Sequence, residues 1–191
     1  MCGRKTLTRD IQSIIQELAI NEWVDPDNYS LSYNIAPTQR SPILIFENSQ
    51  RVVKQMQWGL TPKWSKDQTI GSKLINARSE SLKNKPSFKN LLEKNRCIVI
   101  TDGYYEWRSS GGEKHPYYFH HPQNRLLLMA GLWSHWTPSE KSKILNYTVI
   151  TTQAKKDLAH IHDRMPVILD PCSIMTWIDI ESHCFNDTID I

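Results

Sequence analysis

The sequence predicts an α+β fold that is largely antiparallel. Three observations carry that expectation. β-rich runs recur along the chain with hairpin signals between them. Helical spacing of apolar residues appears only in short stretches. No repeat, low-complexity tract or linker divides the 191 residues. A chain of this length, 39% hydrophobic and 23% charged, reads as one domain spanning residues 1–191 with a sizeable buried core.

Ile11, Ile14, Ile15 and Leu18 fall on one helical face after Thr8, so residues 8–19 read as a helix with Thr8 as its N-cap. Pro42 to Phe46 and Arg51 to Trp58 are strands, joined by a hairpin at Glu47-Asn48-Ser49-Gln50. Residues 61–73, with Pro, Gly, Ser and Lys and little periodicity, read as a loop. Phe88, Leu91 and Leu92 mark a short helix ahead of the Cys97-Ile98-Val99-Ile100 strand. Tyr104 to Trp107 is a strand that turns at Ser109-Ser110-Gly111-Gly112, and Tyr117 to Phe119, Leu126 to Trp133 and Leu145 to Thr151 add further strands. Ala154 to Ala159 reads as a short helix leading into His160-Ile161-His162. Asp170 as N-cap with Pro171 at the first helical position starts a last helix through Trp177.

A net charge of +3 permits an anionic partner without requiring one. Cys2, Cys97, Cys172 and Cys184 form neither a CxxC pair nor a Cys/His cluster at zinc spacing, which argues against a structural metal. No apolar run approaches the ~18 residues of a membrane span, and no apolar segment follows the basic residues near Met1. The expectation is a cytoplasmic protein with free thiols.

Cys2, in the opening Met1-Cys2-Gly3-Arg4, stands out chemically. Once Met1 is removed, a cysteine there carries a thiol and a primary amine on adjacent carbons. Such an aminothiol condenses with an aldehyde to an imine, and the sulfur then closes a thiazolidine ring. The α-amino group titrates near ~7.7–8.0, so part of it is neutral and nucleophilic at pH 7. The alternative is a small buried residue with no chemistry.

Asn76 offers an acceptor and two donors that can orient an amine without adding charge, or it caps a turn. Alternation places Tyr104 and Glu106 on one face of their strand and Tyr105 and Trp107 on the other. A glutamate among aromatics suits a general acid/base, or else an ion pair with an arginine. His162 suits a proton shuttle, with His160 an open competitor. Arg4, Arg78, Lys83, Lys85 and Lys89 with Tyr33, Trp58 and Trp64 have the composition of a single-strand nucleic-acid groove, or of a core and a solvated face.

Five ordered blocks complete the reading: Met1-Cys2-Gly3-Arg4; Tyr33-Asn34-Ile35-Ala36-Pro37 with Trp58-Gly59-Leu60; Ile75-Asn76-Ala77-Arg78-Ser79-Glu80; Asp102-Gly103-Tyr104-Tyr105-Glu106-Trp107; and Ile161-His162-Asp163-Arg164-Met165-Pro166-Val167-Ile168-Leu169. Together they resemble the SOS-response-associated peptidase (SRAP) family, whose members covalently trap abasic sites in single-stranded DNA. The resemblance implies a pseudo-barrel of bifurcated, mostly antiparallel β-sheet with flanking helices. It implies that Cys2 is the crosslinking nucleophile, Asn76 positions its amine, Glu106 is the acid/base and His162 the shuttle. Arg4 and Arg78 would bind phosphate, Trp64 would stack near the lesion and Thr151 would line the site. It further implies removal of Met1 by the protein itself, lyase-like Schiff-base chemistry, no cofactor or metal, a monomer, and single-stranded DNA containing abasic sites as partner. Two departures stand out: the chain stops at Ile191, a few tens of residues short of the usual length, and the Trp64 to Leu74 loop is longer than usual.

Overall fold

The computed structural model describes residues 2–139 and 142–188. In chain order these form strand β1 (Arg4–Leu7), helix α1 (Ile11–Leu18), and strands β2 (Glu22–Trp23), β3 (Ser32–Ile35), β4 (Arg40–Glu47), β5 (Gln50–Trp58) and β6 (Asn76–Arg78). There follow β7 (Arg96–Thr101), β8 (Gly103–Ser110), β9 (Glu113–His120), β10 (Leu127–Ser139), β11 (Ser142–Gln153), β12 (Arg164–Pro166), β13 (Ile168–Leu169) and helix α2 (Ser173–Ile178).

Strands β11, β10, β7, β4 and β5 are hydrogen-bonded in that order. Strand β11 then pairs with β5 in parallel, Asn146 to Gln57 and Tyr147 to Trp58, which closes the five strands into a barrel. Closure removes the free sheet edges that would otherwise invite association. A second sheet, ordered β3-β1-β8-β9, carries the chain's N-terminal strand.

The main sheet bifurcates at one place. Strands β10 and β11 pair up to Gly131 and Val149 and then separate. The chain from Arg164 to Leu169 fills the fork, β12 bonding to β11 and β13 to β10. Its middle residue holds both sides: the Val167 N–H donates to Ile150 C=O, and Val167 C=O accepts from the Ala130 N–H, each at 2.9 Å. Glycine suits the branch point, because a Cβ on Gly131 would stand 2.9 Å from the Thr148 carbonyl oxygen.

Local chemistry explains most elements. The β4–β5 hairpin turns through Asn48 and Ser49 at φ 51° and 59°, the positive-φ pair that a two-residue turn requires. Gly111 and Gly112, at 60° and 86°, do the same between β8 and β9. The two faces of the barrel strands are both covered: Ile43, Val53, Met56, Ile98, Val99, Met129, Leu132 and Val149 are all buried.

Several expectations need correction. Helix α1 is capped by Asp10, whose Oδ1 accepts from the Ser13 N–H at 2.9 Å. Thr8 instead donates through its backbone N–H and hydroxyl to Asp102 Oδ2, at 2.5 and 2.7 Å. Residues 82–94 form successive turns rather than a helix, bonded mostly from one residue to the third before it (Phe88 to Lys85, Leu91 to Phe88, Lys94 to Leu91); Phe88 and Leu92 are still buried. Residues 156–161 are likewise turns. The last helix begins at Ser173, although Asp170 Oδ1 does cap it, accepting from the Cys172 and Ser173 N–H groups at 2.8 and 3.0 Å. The 61–73 loop contains a 3-10 turn at Gln68–Lys73.

Candidate active site around Cys2

Strand β1 pairs with β8 in the register Arg4 to Tyr105, Lys5 to Tyr104 and Thr6 to Gly103. Because the pair is antiparallel, the residues ahead of Arg4 run toward the part of β8 that carries Glu106. The expected alternation holds there: Tyr104 and Glu106 are buried, and Tyr105 and Trp107 are half-buried on the other face.

Asn76 reaches Cys2 from a different strand. Strand β6 lies parallel to β11, Asn76 opposite Val149 and Arg78 opposite Thr151. From there Asn76 Nδ2 donates to the Cys2 carbonyl oxygen at 2.8 Å. That bond fixes which end of the amide is which. Oδ1 is left as a buried acceptor that takes no hydrogen bond among the described residues.

Cys2 has no exposed surface. Burial pushes its thiol up to about 12, and the nearby Glu106 charge pushes the same way; Lys5 and the Arg4 backbone N–H pull down. The sulfur is therefore a thiol, not a thiolate, at neutral pH.

Glu106 and His162 line one small pocket, together with Tyr104, Phe119, Leu158, Ile161, Arg164 and Met165. Of the two histidines the sequence left open, His162 faces Glu106, whereas His160 is exposed and does not line that pocket. His162 Nδ1 accepts from the Arg164 backbone N–H at 3.0 Å and also stands 2.7 Å from Asp163 Oδ1. The first contact needs a lone pair on Nδ1 and the second needs a proton. Nδ1 thus has a partner whether or not it carries a proton.

The remaining expected residues are placed as follows. Thr151 is fully buried, and its carbonyl oxygen accepts from Arg164 Nη2 at 2.6 Å, so it presents no surface of its own. Arg78 is exposed beside it. Arg4 Nη1 donates to Asn34 Oδ1 at 2.7 Å. Trp64 is 61% exposed and outside the Glu106–His162 pocket; its loop is held by Trp136 Nε1, which donates to the Ser65 carbonyl at 2.8 Å. Trp58 is not a surface aromatic. It is fully buried, its ring stacks on Tyr147 at 6.2 Å, and its Nε1 donates to the Ile75 carbonyl at 2.9 Å. Tyr33 is 73% exposed. Lys83 lies over the Phe185 ring, and Lys85 and Lys89 are exposed. Met1 lies outside the described residues.

Two features escaped the sequence reading. Arg164 grips Glu80 with both terminal nitrogens, Nη1 to Oε1 at 2.7 Å and Nη2 to Oε2 at 3.0 Å, while its own side chain is only 12% exposed. This holds the Glu80 carboxyl below the usual carboxylate range. A strip of rings also crosses the second sheet. Tyr105 lies 6.3 Å from Trp107 and 4.9 Å from Tyr118, which stacks on His120 at 5.4 Å. The alternation of His115 to His120 opposite β8 was its signal. Among the described residues no cluster of three or more His, Cys, Asp or Glu gathers as a metal site, and no helix is long and apolar enough to cross a membrane.

The chain is similar to several known proteins. It is 38% identical over 180 residues to the Abasic site processing protein YoqW of Bacillus subtilis, covering 94% of this chain and 80% of that one. It is 37% identical over 190 residues to the Abasic site processing protein HMCES of Gallus gallus, covering 83% of this chain and 56% of the relative. Its fold matches the crystal structure of a Bacteroides thetaiotaomicron protein with a TM-score of 0.83 at 27% identity, over 93% of this chain and 81% of the other. It also matches a phage-related protein of Bordetella bronchiseptica with a TM-score of 0.75 at 26% identity, over 100% and 87%. The family model described as SOS response associated peptidase (SRAP) matches residues 1–189, and the chain belongs to that family.

Proposed function

We propose that this protein traps abasic sites in single-stranded DNA as a thiazolidine on Cys2, after Met1 is removed. The observation that carries the reading is the Asn76 hydrogen bond to the Cys2 carbonyl, next to Glu106, whose charge reaches the thiol. The relatives named as abasic site processing proteins support the choice of substrate.

The abasic sugar presents an aldehyde at C1′ only when its ring is open. Glu106 takes the proton of the C1′ hydroxyl as the carbonyl forms and gives it to the ring oxygen as the C1′–O bond breaks. The Cys2 amine, held through its own carbonyl by Asn76, adds to the aldehyde. Loss of water leaves an iminium, with His162 relaying the protons. The amine leads because the buried sulfur is protonated at neutral pH. The thiol then adds to the C=N carbon and closes a five-membered ring. Arg4 and Arg78 hold flanking phosphates, Trp64 and the Tyr105–Tyr118 strip offer faces for bases, and Arg164, clamped by Glu80 and Thr151, keeps the His162 segment in register.

Intact-mass analysis tests the proposal. Protein incubated with an abasic oligonucleotide is expected to gain the oligonucleotide mass less one water, on chains that lack Met1. Cys2→Ala is expected to give no denaturant-stable adduct, and Cys2→Ser only one that borohydride traps. A stable adduct in Cys2→Ala, or in chains that retain Met1, overturns the mechanism. A complex that falls apart in denaturant points to noncovalent binding instead, and hydrolysis of peptides without DNA to a general peptidase.

A further inference from the structure

Strand β1 has only four residues to define its register. It pairs with β8 at three positions, and on its other edge the ladder to β3 shifts between Lys5 and Leu7. Ladder bonds join backbone to backbone, so they survive a slip of two residues, which would carry Cys2 about 7 Å along β8. The side chain of Asp102 is selective where the ladder is not. It stands at the corner between Thr101, the end of β7 in the barrel, and Gly103, the start of β8 in the second sheet. Its Oδ1 accepts from the Thr6 hydroxyl, and its Oδ2 from the Thr8 hydroxyl at 2.7 Å and the Thr8 N–H at 2.5 Å. The same corner grips the Thr6 carbonyl oxygen, which accepts from the Asp102 N–H at 3.1 Å and the Thr101 hydroxyl at 2.5 Å. Thr6 and Thr101 are both buried. A two-residue slip in one direction would bring Asp10 against the Asp102 carboxylate. In the other it would set Arg4 in the buried place of Thr6.

We propose that Asp102 is a positioning residue for the Cys2 chemistry: by holding Thr6 and Thr8 it fixes the register of β1, and with it the place of the Cys2 nitrogen against Glu106. This rests on the reading of the site given above. Asp102 leads directly into the strand that carries Glu106, so one residue ties the nucleophile and the acid/base to a common frame. The segment from Cys2 to Thr8 is then held at both ends, by Asn76 at the Cys2 carbonyl and by Asp102 at Thr6 and Thr8. A single bond at Cys2 fixes a point but lets the terminal residue pivot, and chain ends fray unless tied down. The anchored strand supplies the direction. Attack on a held sugar tolerates little error, since a displacement of ~1 Å can cost ~10²-fold in rate.

The test compares two substrates in Asp102→Ala and Asp102→Asn. An abasic single strand must present its sugar to Glu106 and to the amine together, whereas glycolaldehyde is open-chain and meets the amine in any pose. Asp102→Ala is expected to form the strand adduct roughly 10²-fold more slowly, and to lose no more than about three-fold on glycolaldehyde. Rates are taken at saturating DNA, which removes any change in affinity from the comparison. Asp102→Asn should recover most of the strand rate, because its amide oxygen still accepts from Thr8 while its nitrogen donates to the Thr6 hydroxyl. The double variant Thr6→Val/Thr8→Val loosens the same grip from the other side and should repeat the Asp102→Ala pattern. It carries the test if Asp102→Ala fails to fold. A strand rate within about two-fold of wild type in Asp102→Ala or in the double variant overturns the assignment. So does an equal loss on both substrates, or an Asp102→Asn no faster than Asp102→Ala. Wild-type protein that gives no strand adduct overturns the parent reading, and this one with it.

Discussion

Asn76 Nδ2 donates to the carbonyl oxygen of Cys2 at 2.8 Å across 74 residues of chain. The bond grips the residue through its backbone carbonyl and itself touches neither the sulfur nor the nitrogen. A side chain that held either nucleophile directly would have to release it before reaction.

Asn76→Ala should therefore damage the chemistry and leave DNA binding intact. Adduct formation is expected to slow roughly 10²-fold, in line with a lost positioning group, with unchanged affinity for an abasic single strand. Asn76→Asp should be at least as slow, because a carboxylate cannot donate to the Cys2 carbonyl. Quenched-flow sampling on denaturing gels gives the rates, and fluorescence anisotropy of Cys2→Ala and Cys2→Ala/Asn76→Ala gives the affinities. A wild-type rate in Asn76→Ala would remove the residue from the site.

Glu106→Gln should slow trapping roughly 10²–10⁴-fold on the ring-closed sugar, since an amide cannot exchange the proton needed to open it. On a small open-chain aldehyde such as glycolaldehyde the loss should be much less. His162→Ala should slow both substrates, and His160→Ala neither. Adduct yield against time, read by mass, distinguishes these patterns.

The Glu80–Arg164 pair makes a pH-dependent contribution to stability. The folded-state pKa of Glu80 is depressed, chiefly by its hydrogen bond from Arg164. The gain is full above the ordinary glutamate range near ~4.3 and is lost as pH falls through the lowered folded value. The carboxylate is 56% exposed, so solvent screening limits the gain to about 1 kcal/mol. Glu80→Gln should lower the melting temperature by ~2–4 °C at pH 7 and by less at pH 3. Melting curves at the two pH values check this, and an equal effect at both contradicts it.

Gly103→Ala should destabilise the second sheet. A Cβ there would lie 2.3 Å from Tyr118 Oη, and the Tyr118 ring is tied down by a 2.9 Å hydrogen bond with Thr6 and by its stacking on His120. Moving the ring should cost about 1–3 kcal/mol. Adding Tyr118→Ala removes the clash, so the double variant should lose less than the sum of the two single ones. Additive losses would show that the ring yields freely.

Arg4→Ala and Arg78→Ala should each flatten the slope of log K against log[salt] by ~0.7, the value for one neutralised phosphate of a single strand. Anisotropy titrations with Cys2→Ala protein at several salt concentrations measure it. An unchanged slope in both, or equal affinity for intact duplex, would place the DNA elsewhere.

What the sequence disclosed and what it hid divide along the range of the forces involved. The Asn48-Ser49 and Gly111-Gly112 turns and the inward Glu106 are local matters of φ and alternation, legible from neighbouring residues. The fork entered by Arg164 to Leu169 is not, because it depends on two strands that diverge far upstream. The full burial of Lys5 on β1 escaped notice because alternation names a face without saying that the face is sealed. The burial of Thr151 on β11 and Trp58 on β5 is likewise set by what packs over the sheet from elsewhere in the chain, as Tyr147 stacks on Trp58 and Arg164 reaches the Thr151 carbonyl.

The hydrogen bond between Cys2 and Asn76 and the pocket shared by Glu106 and His162 also set an order in time. Cys2, the proposed nucleophile, leaves the ribosome first, and Glu106 and His162 leave much later. At ~5–20 residues per second, roughly 10–30 s of synthesis separate Cys2 from His162. Through that interval an unmasked aminothiol would meet any aldehyde in its surroundings with no discrimination. On the proposed mechanism Met1 would be more than an initiator residue, keeping the amine capped while those groups are made. If its removal depends on the finished site, nascent chains arrested before residue 162 are expected to retain Met1 and completed chains to lose it. Mass analysis of stalled and released chains would read that order directly.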